Sequence, residues 1–139
     1  MARDPLVPFG LVAAVFFLLA ACSLVGVRGS HAIGPVTITP DAAGRTIELR
    51  TDQELLVRLP SNPATGYRWS LAAAPADVLR LEGLPAFERN AGSTGGSGVE
   101  IWRFTLARKG QQVLRFDYRL PWEADSPPAQ QLSFIVTVR

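Results

Sequence analysis

The sequence predicts an all-β domain, an antiparallel sandwich of seven to eight short strands. Three observations predict it. Apolar residues beyond position 35 recur with period two rather than 3.6, Gly- and Pro-rich turns separate the runs, and 139 residues hold one domain at most. Composition adds exclusions. Fourteen Lys+Arg against 12 Asp+Glu leave a net charge of +2, and no basic cluster marks a nucleic-acid face. One Cys excludes an internal disulfide framework and a multi-Cys metal site, and one His, His31, excludes a His cluster. Neither metal nor cofactor nor nucleic acid is expected.

Residues 1–21 read as a signal peptide. The stretch Leu11 to Ala21 carries no polar residue, yet it is about half the roughly 20 residues that a membrane-spanning helix needs. It ends Leu19-Ala20-Ala21-Cys22 and continues with Ser23, which resembles a bacterial lipobox. There the peptidase cuts before a cysteine whose sulfur has received diacylglycerol. Two or three acyl chains on Cys22 anchor stably, since each buried methylene is worth ~0.8 kcal/mol and one chain alone is marginal. Residues 22–35, with three Gly and a Pro, read as a tether, and His31 within it as a solvated linker residue. The expected place is a bacterial cell envelope. The anchor holds the domain on the outer membrane or on the outer leaflet of the plasma membrane.

The sandwich occupies residues 36–139. Val36–Ile38 and Thr46–Leu49 are short candidate strands. Leu55, Val57 and Leu59 then alternate with Glu54, Leu56 and Arg58, giving a strand with one face on a core. Tyr67–Leu71 and Leu79–Leu81 follow, and only Ala72–Val78 has room for a helical turn, which Pro75 limits. The strongest alternation comes last: Trp102, Phe104 and Leu106, then Leu114, Phe116 and Tyr118, then Leu132, Phe134, Val136 and Val138. Trp69 and Trp102 fall inside strands and are expected in the core. Arg108-Lys109-Gly110 is a plain hairpin turn.

Three connections exceed what a strand reversal needs. In Ser61-Asn62-Pro63-Ala64-Thr65-Gly66-Tyr67, Pro63 fixes the turn entry and Gly66 permits a positive φ before the chain re-enters a strand. Asn90 to Gly98 carries Gly92, Gly95, Gly96 and Gly98. It lacks the Lys-Ser/Thr of a phosphate loop and precedes a strand, so it reads as a flexible hairpin tip or as a place of close backbone approach. Leu120 to Ala129 holds Trp122 beside Pro121, outside the alternation of either neighbouring strand. A tryptophan there serves either as a lid on the core or as a binding anchor.

Asn-Pro-x-Thr-Gly-Tyr, then a Gly-Gly loop before a Trp-containing strand, then Pro-Trp after a strand ending in Tyr, occur here in that order. Over Thr46 to Val138 the sequence resembles the chagasin family of cysteine-peptidase inhibitors. The resemblance implies an immunoglobulin-like sandwich whose three loops gather at one end and wedge into the cleft of papain-like peptidases. Asn62, Pro63, Ala64, Thr65, Gly66 and Tyr67 would form the central loop, against the catalytic Cys/His pair of the enzyme. Gly95 and Gly96 would flank it on one side, and Leu120, Pro121 and Trp122 on the other. Two positions depart from the family's pattern: Ala64 stands where Thr is usual, and Leu120 where Arg is usual. Arg119 lies one residue early, where extended backbone points it to the other face.

The implied activity is reversible, competitive inhibition by a monomer, without covalent chemistry. That agrees with a sequence in which no nucleophile, metal set or acid–base pair is evident. Trp122 would be the anchor and Thr65 the polar probe. Competing readings are a lipid-anchored Ig-like module for envelope binding or assembly, and a sugar-binding sandwich that stacks on Trp69, Trp102 and Trp122. An enzyme would have to use Glu123 and Asp125, which share one loop.

Overall fold

The computed structural model describes residues 34–72 and 77–139. The expected signal peptide, Cys22, His31 and the centre of the expected helical turn at Ala72–Val78 lie outside the described residues. The described chain forms nine strands: β1 (Val36–Ile38), β2 (Thr46–Leu49), β3 (Glu54–Ser61), β4 (Arg68–Leu71), β5 (Leu79–Leu81), β6 (Ala86–Arg89), β7 (Gly98–Leu106), β8 (Gly110–Arg119) and β9 (Gln130–Val138). One sheet runs β1-β3-β7-β5, with β6 also paired to β7, and the other runs β2-β9-β8-β4.

The alternating residues meet between the sheets. Leu55, Val57 and Leu59 of β3 and Phe104 of β7 are fully buried, as are Leu114 and Phe116 of β8 and Phe134 and Val136 of β9. Each such side chain contributes about 1.5–3 kcal/mol on leaving water. Phe116 is the centre of this layer, with ring centroids 5.2 Å from Trp102, 6.4 Å from Phe104 and 6.2 Å from Phe134. All three contacts are edge-on, the arrangement that ring quadrupoles favour. Trp69 and Trp102 are core residues at 5% and 6% exposure, which removes two of the three platforms that sugar stacking would need.

The sandwich class is as expected, but the sheets are mixed rather than wholly antiparallel. β1 pairs with β3 in parallel, and β2 pairs with β9 in parallel. The chain reverses twice between β1 and β3, and each reversal crosses to the opposite sheet. β1 and β3 therefore lie side by side running the same way. The ninth strand, β6, has every residue exposed and so shows no alternation in the sequence. It forms because β7 is long enough to pair with β5 along Phe104–Leu106 and with β6 along Gly98–Ile101. Arg58 of β3 reaches across β7 to Glu88 of β6 at 2.9 Å. Gly98 completes the fit, because a Cβ on it would stand 2.2 Å from the Glu88 carbonyl oxygen and 2.5 Å from the Phe87 ring.

Candidate functional site

Strand register decides where the three long connections emerge. Ser61 at the end of β3 pairs with Gly98 at the start of β7, and Arg89 at the end of β6 pairs with that same Gly98. In the other sheet Arg68 at the start of β4 pairs with Arg119 at the end of β8, and Tyr118 pairs with Gln130. The Asn90–Ser97 and Leu120–Ala129 hairpins thus cap one end of the two sheets. The Asn62–Tyr67 segment bridges from sheet to sheet between them.

The bridging loop is built from its own hydrogen bonds. Pro63–Thr65 form a single 3-10 turn whose cap, Asn62, accepts from the Ala64 N–H at its side-chain oxygen (3.2 Å). The Thr65 N–H donates to the Asn62 carbonyl at 3.1 Å and the Gly66 N–H to that of Pro63 at 3.1 Å. Gly66 adopts φ +85°, the left-handed conformation that suits glycine. From below, the Tyr118 hydroxyl accepts from the Asn62 N–H at 3.3 Å, and the Arg68 Nη1 donates to the Pro63 and Tyr67 carbonyls, both at 3.0 Å. Tyr118 also stacks on Tyr67 at 5.4 Å and lies 4.8 Å from Trp69.

Buried polarity anchors the root of this loop. Ser61, the last residue of β3, donates its hydroxyl to Glu100 at 2.7 Å, and both residues are buried. A groove of about 490 Å³ opens beside it, walled by Pro63, Arg68, Trp69, Pro85, Phe87, Glu100 and Trp102.

Thr65 differs from expectation. Its Oγ1 donates to the Asn62 carbonyl at 2.7 Å and accepts from the Tyr67 N–H at 3.4 Å. The hydroxyl closes the turn instead of standing free as a probe, because the tight 3-10 geometry brings those backbone groups within its reach. Ala64, at the tip, is exposed.

The second loop lies against the first. Gly96, at φ +76°, approaches so closely that a Cβ on it would be 3.4 Å from that of Ala64 and 3.5 Å from the Asn62 Oδ1. Gly95 has open space around it. The hairpin is closed by the Asn90 N–H to the Ser97 carbonyl at 3.0 Å and by a 2.8 Å contact between the Ser93 and Ser97 hydroxyls. Gly98 belongs to β7 and not to the loop.

The third loop touches the first from the opposite side. A Cβ on Gly66 would stand 3.0 Å from the Trp122 Cη2 and 3.4 Å from the Leu120 Cδ2. Trp122 is 72% exposed, so it is no lid on the core. Its indole rests one edge on Gly66 and offers the rest to solvent. Pro121, Glu123 and Asp125 are also exposed. All eleven expected contact residues, Asn62 to Tyr67, Gly95, Gly96 and Leu120 to Trp122, therefore gather at one end of the sandwich. Sequence reasoning missed the residues beneath them: Tyr118, Arg68 and the pair Asp117–Arg119. Arg119 lies, as expected, on the strand face away from Leu120, beside Asp117 two residues before it. It turns under the third loop and donates to the carbonyls of Ala124 (2.7 Å) and Ser126 (3.2 Å). Tyr118 carried a usable signal, a core-facing tyrosine whose polar tip needs a partner.

Among the described residues no group of three His, Cys, Asp or Glu is placed to hold a metal ion. The site consists of backbone turns, small residues and one large exposed aromatic, Trp122.

Comparison with known proteins agrees with this geometry. The sequence profile of the chagasin family peptidase inhibitor I42 matches residues 48–138. Amoebiasin-2 of Entamoeba histolytica is 25% identical over 96 residues, covering 68% of this chain and 77% of that protein. Chagasin of Trypanosoma cruzi is 22% identical over 100 residues, 69% of this chain and 91% of that one. Among solved structures, the cysteine protease inhibitor EhICP2 of Entamoeba histolytica superposes with a TM-score of 0.67 at 20% identity, covering 76% of this chain and 96% of its own. PbICP-C, solved in complex with falcipain-2, gives a TM-score of 0.50 at 18% identity, covering 76% of this chain and 92% of its own.

Proposed function

The chain belongs to the chagasin family of peptidase inhibitors, which are not enzymes, and on that premise we propose that it is a reversible, competitive inhibitor of papain-like cysteine peptidases. The carrying observation is the packing of Gly96 and Trp122 against opposite sides of the Asn62–Gly66 turn. It brings the three loops together along one edge. The edge enters the active-site cleft with the Pro63–Thr65 turn at its centre, Gly95 and Gly96 on one side and Leu120 to Trp122 on the other. The cysteine protease inhibitor EhICP2 shares the fold, and PbICP-C shares it while bound to falcipain-2. The contact is of standard size, about 1,600 Å² in total.

Each part of the site has a physical task. Trp122 supplies apolar area on a stiff ring, the residue type that most often anchors an interface. The turn's internal hydrogen bonds fix its shape in advance, so little ordering is needed on binding. They also make the loop a poor substrate. A 3-10 turn closed by Thr65 and Gly66 does not present the extended peptide bond that a nucleophile attacks. Leu120, seated on Gly66, makes this flank apolar.

Anchoring is part of the same proposal. Lipid on Cys22 would hold the inhibitor on a bacterial envelope, where it meets peptidases entering or leaving. The supporting observation is the apolar stretch that ends Leu19-Ala20-Ala21-Cys22.

The test of the mechanism is kinetic. With papain, the apparent inhibition constant should rise linearly with substrate concentration, and inhibitor recovered after long incubation should be intact by mass. Inhibition independent of substrate, or cleavage within Asn62–Tyr67, would count against it. For the anchor, the protein expressed in a bacterium should partition into detergent and lose that property in Cys22→Ser.

A further inference from the structure

Arg68 and Arg119 are direct cross-strand partners at the end of the β4–β8 ladder. Like charges facing each other there repel, and the arrangement needs a compensating gain. Each guanidinium finds it in a different loop. Arg68 Nη1 donates to the Pro63 and Tyr67 carbonyls of the first loop. Arg119 Nη1 donates to the Ala124 and Ser126 carbonyls of the third, and its Nη2 donates to Asp117 Oδ2 at 3.0 Å. Asp117 is buried, and its other oxygen accepts from Gln131 Nε2 at 2.9 Å. The Arg119 side chain is only 23% exposed. A flat fork of donors reaches two carbonyls and a carboxylate at once, which a lysine ammonium on its flexible stem does less well.

We propose that Arg68 and Arg119 are positioning residues: each holds one binding loop in its binding shape before a peptidase arrives, and Arg119 does so without touching the enzyme. The inference rests on the reading above that these loops enter a peptidase cleft. Leu120–Ala129 has ten residues and few hydrogen bonds of its own, the Glu123 N–H to the Leu120 carbonyl and the Ser126 N–H to that of Glu123. Without Arg119 the loop must be ordered at the moment of binding, and affinity falls by that amount. The asymmetry between the two arginines is that Arg68 is exposed while Arg119 is locked onto Asp117. Arg119 is therefore the cleaner test.

The experiment uses the full chain in detergent, as wild type, Arg119→Met, Arg119→Lys and Trp122→Ala, together with the Arg119→Met/Trp122→Ala double variant. Hydrogen exchange of the free protein reads the loop, and papain inhibition at low and high salt reads its use. In Arg119→Met, the amides of residues 123–126 and 129 should exchange faster while the β8–β9 ladder stays protected. The inhibition constant should rise about ten- to hundredfold, equally at both salt concentrations, and by much less once Trp122 is gone. Arg119→Lys should recover only part of the loss. A loss that shrinks at high salt with loop exchange unchanged would overturn the proposal, because Arg119 would then be contacting the enzyme. Full rescue by lysine would overturn it too, since charge alone would suffice. Should wild type fail to inhibit, the reading of the loops fails, and exchange alone still decides whether Arg119 holds the third one.

Discussion

The indole of Trp122 sits directly over Gly66, with its Cη2 only 3.0 Å from where a Cβ on that glycine would be. This contact joins the third loop to the first and sets how far the tryptophan stands out. Gly66 is glycine for two reasons at once, the φ of +85° and the ring above it.

Gly66→Ala separates these reasons. The left-handed backbone costs an alanine about 1–2 kcal/mol of stability, and the added methyl displaces Trp122. Thermal unfolding and the inhibition constant should both worsen. In a Trp122→Ala background the stability loss should persist, while the further loss of inhibition should largely vanish.

Trp122→Ala alone should behave differently. An exposed side chain off the core changes stability by only about 0.5 kcal/mol or less. As the anchor of the interface it should cost at least about 2 kcal/mol of binding, more than tenfold in the inhibition constant. Denaturant unfolding beside an inhibition assay gives both numbers.

Ser61→Ala tests the root of the first loop. It leaves the buried Glu100 carboxylate without the hydroxyl that bonds it, a loss of about 1–3 kcal/mol. Unfolding in urea should show a lower midpoint with an unchanged slope. Glu100→Gln keeps an acceptor for Ser61 and should lose less.

Gly98→Ala tests why β6 exists. A methyl there meets the Glu88 carbonyl and the Phe87 ring, both within 2.5 Å. Overpacking of this kind costs about 1–3 kcal/mol, and here it should strip exchange protection from Ala86–Arg89 before the rest of the sheet.

The sequence makes legible those elements whose side chains divide between core and water. β3, β7, β8 and β9 follow directly from Leu55, Trp102, Leu114, Phe134 and their alternating neighbours. β6 was hidden because all four of its residues are exposed, so no face is marked. Parallel pairing of β1 with β3 was hidden for another reason: alternation carries no direction. The loops were recognisable as a trio of motifs. Their support was not, because Asn62 and Tyr118 are 56 residues apart in sequence, and Arg119 bonds the backbone carbonyls of Ala124 and Ser126, which no side-chain pattern marks. The inward turn of the Thr65 hydroxyl depends on a 3-10 geometry that Pro63 permits but does not by itself announce.

The most direct measurement is a tight-binding titration of the full chain against a papain-like peptidase, with the Trp122→Ala variant alongside. The expected result is stoichiometric, competitive loss of activity with a nanomolar constant, weakened more than tenfold in the variant while its folding is unchanged. No inhibition of several such peptidases, or inhibition that Trp122→Ala leaves intact, would contradict it.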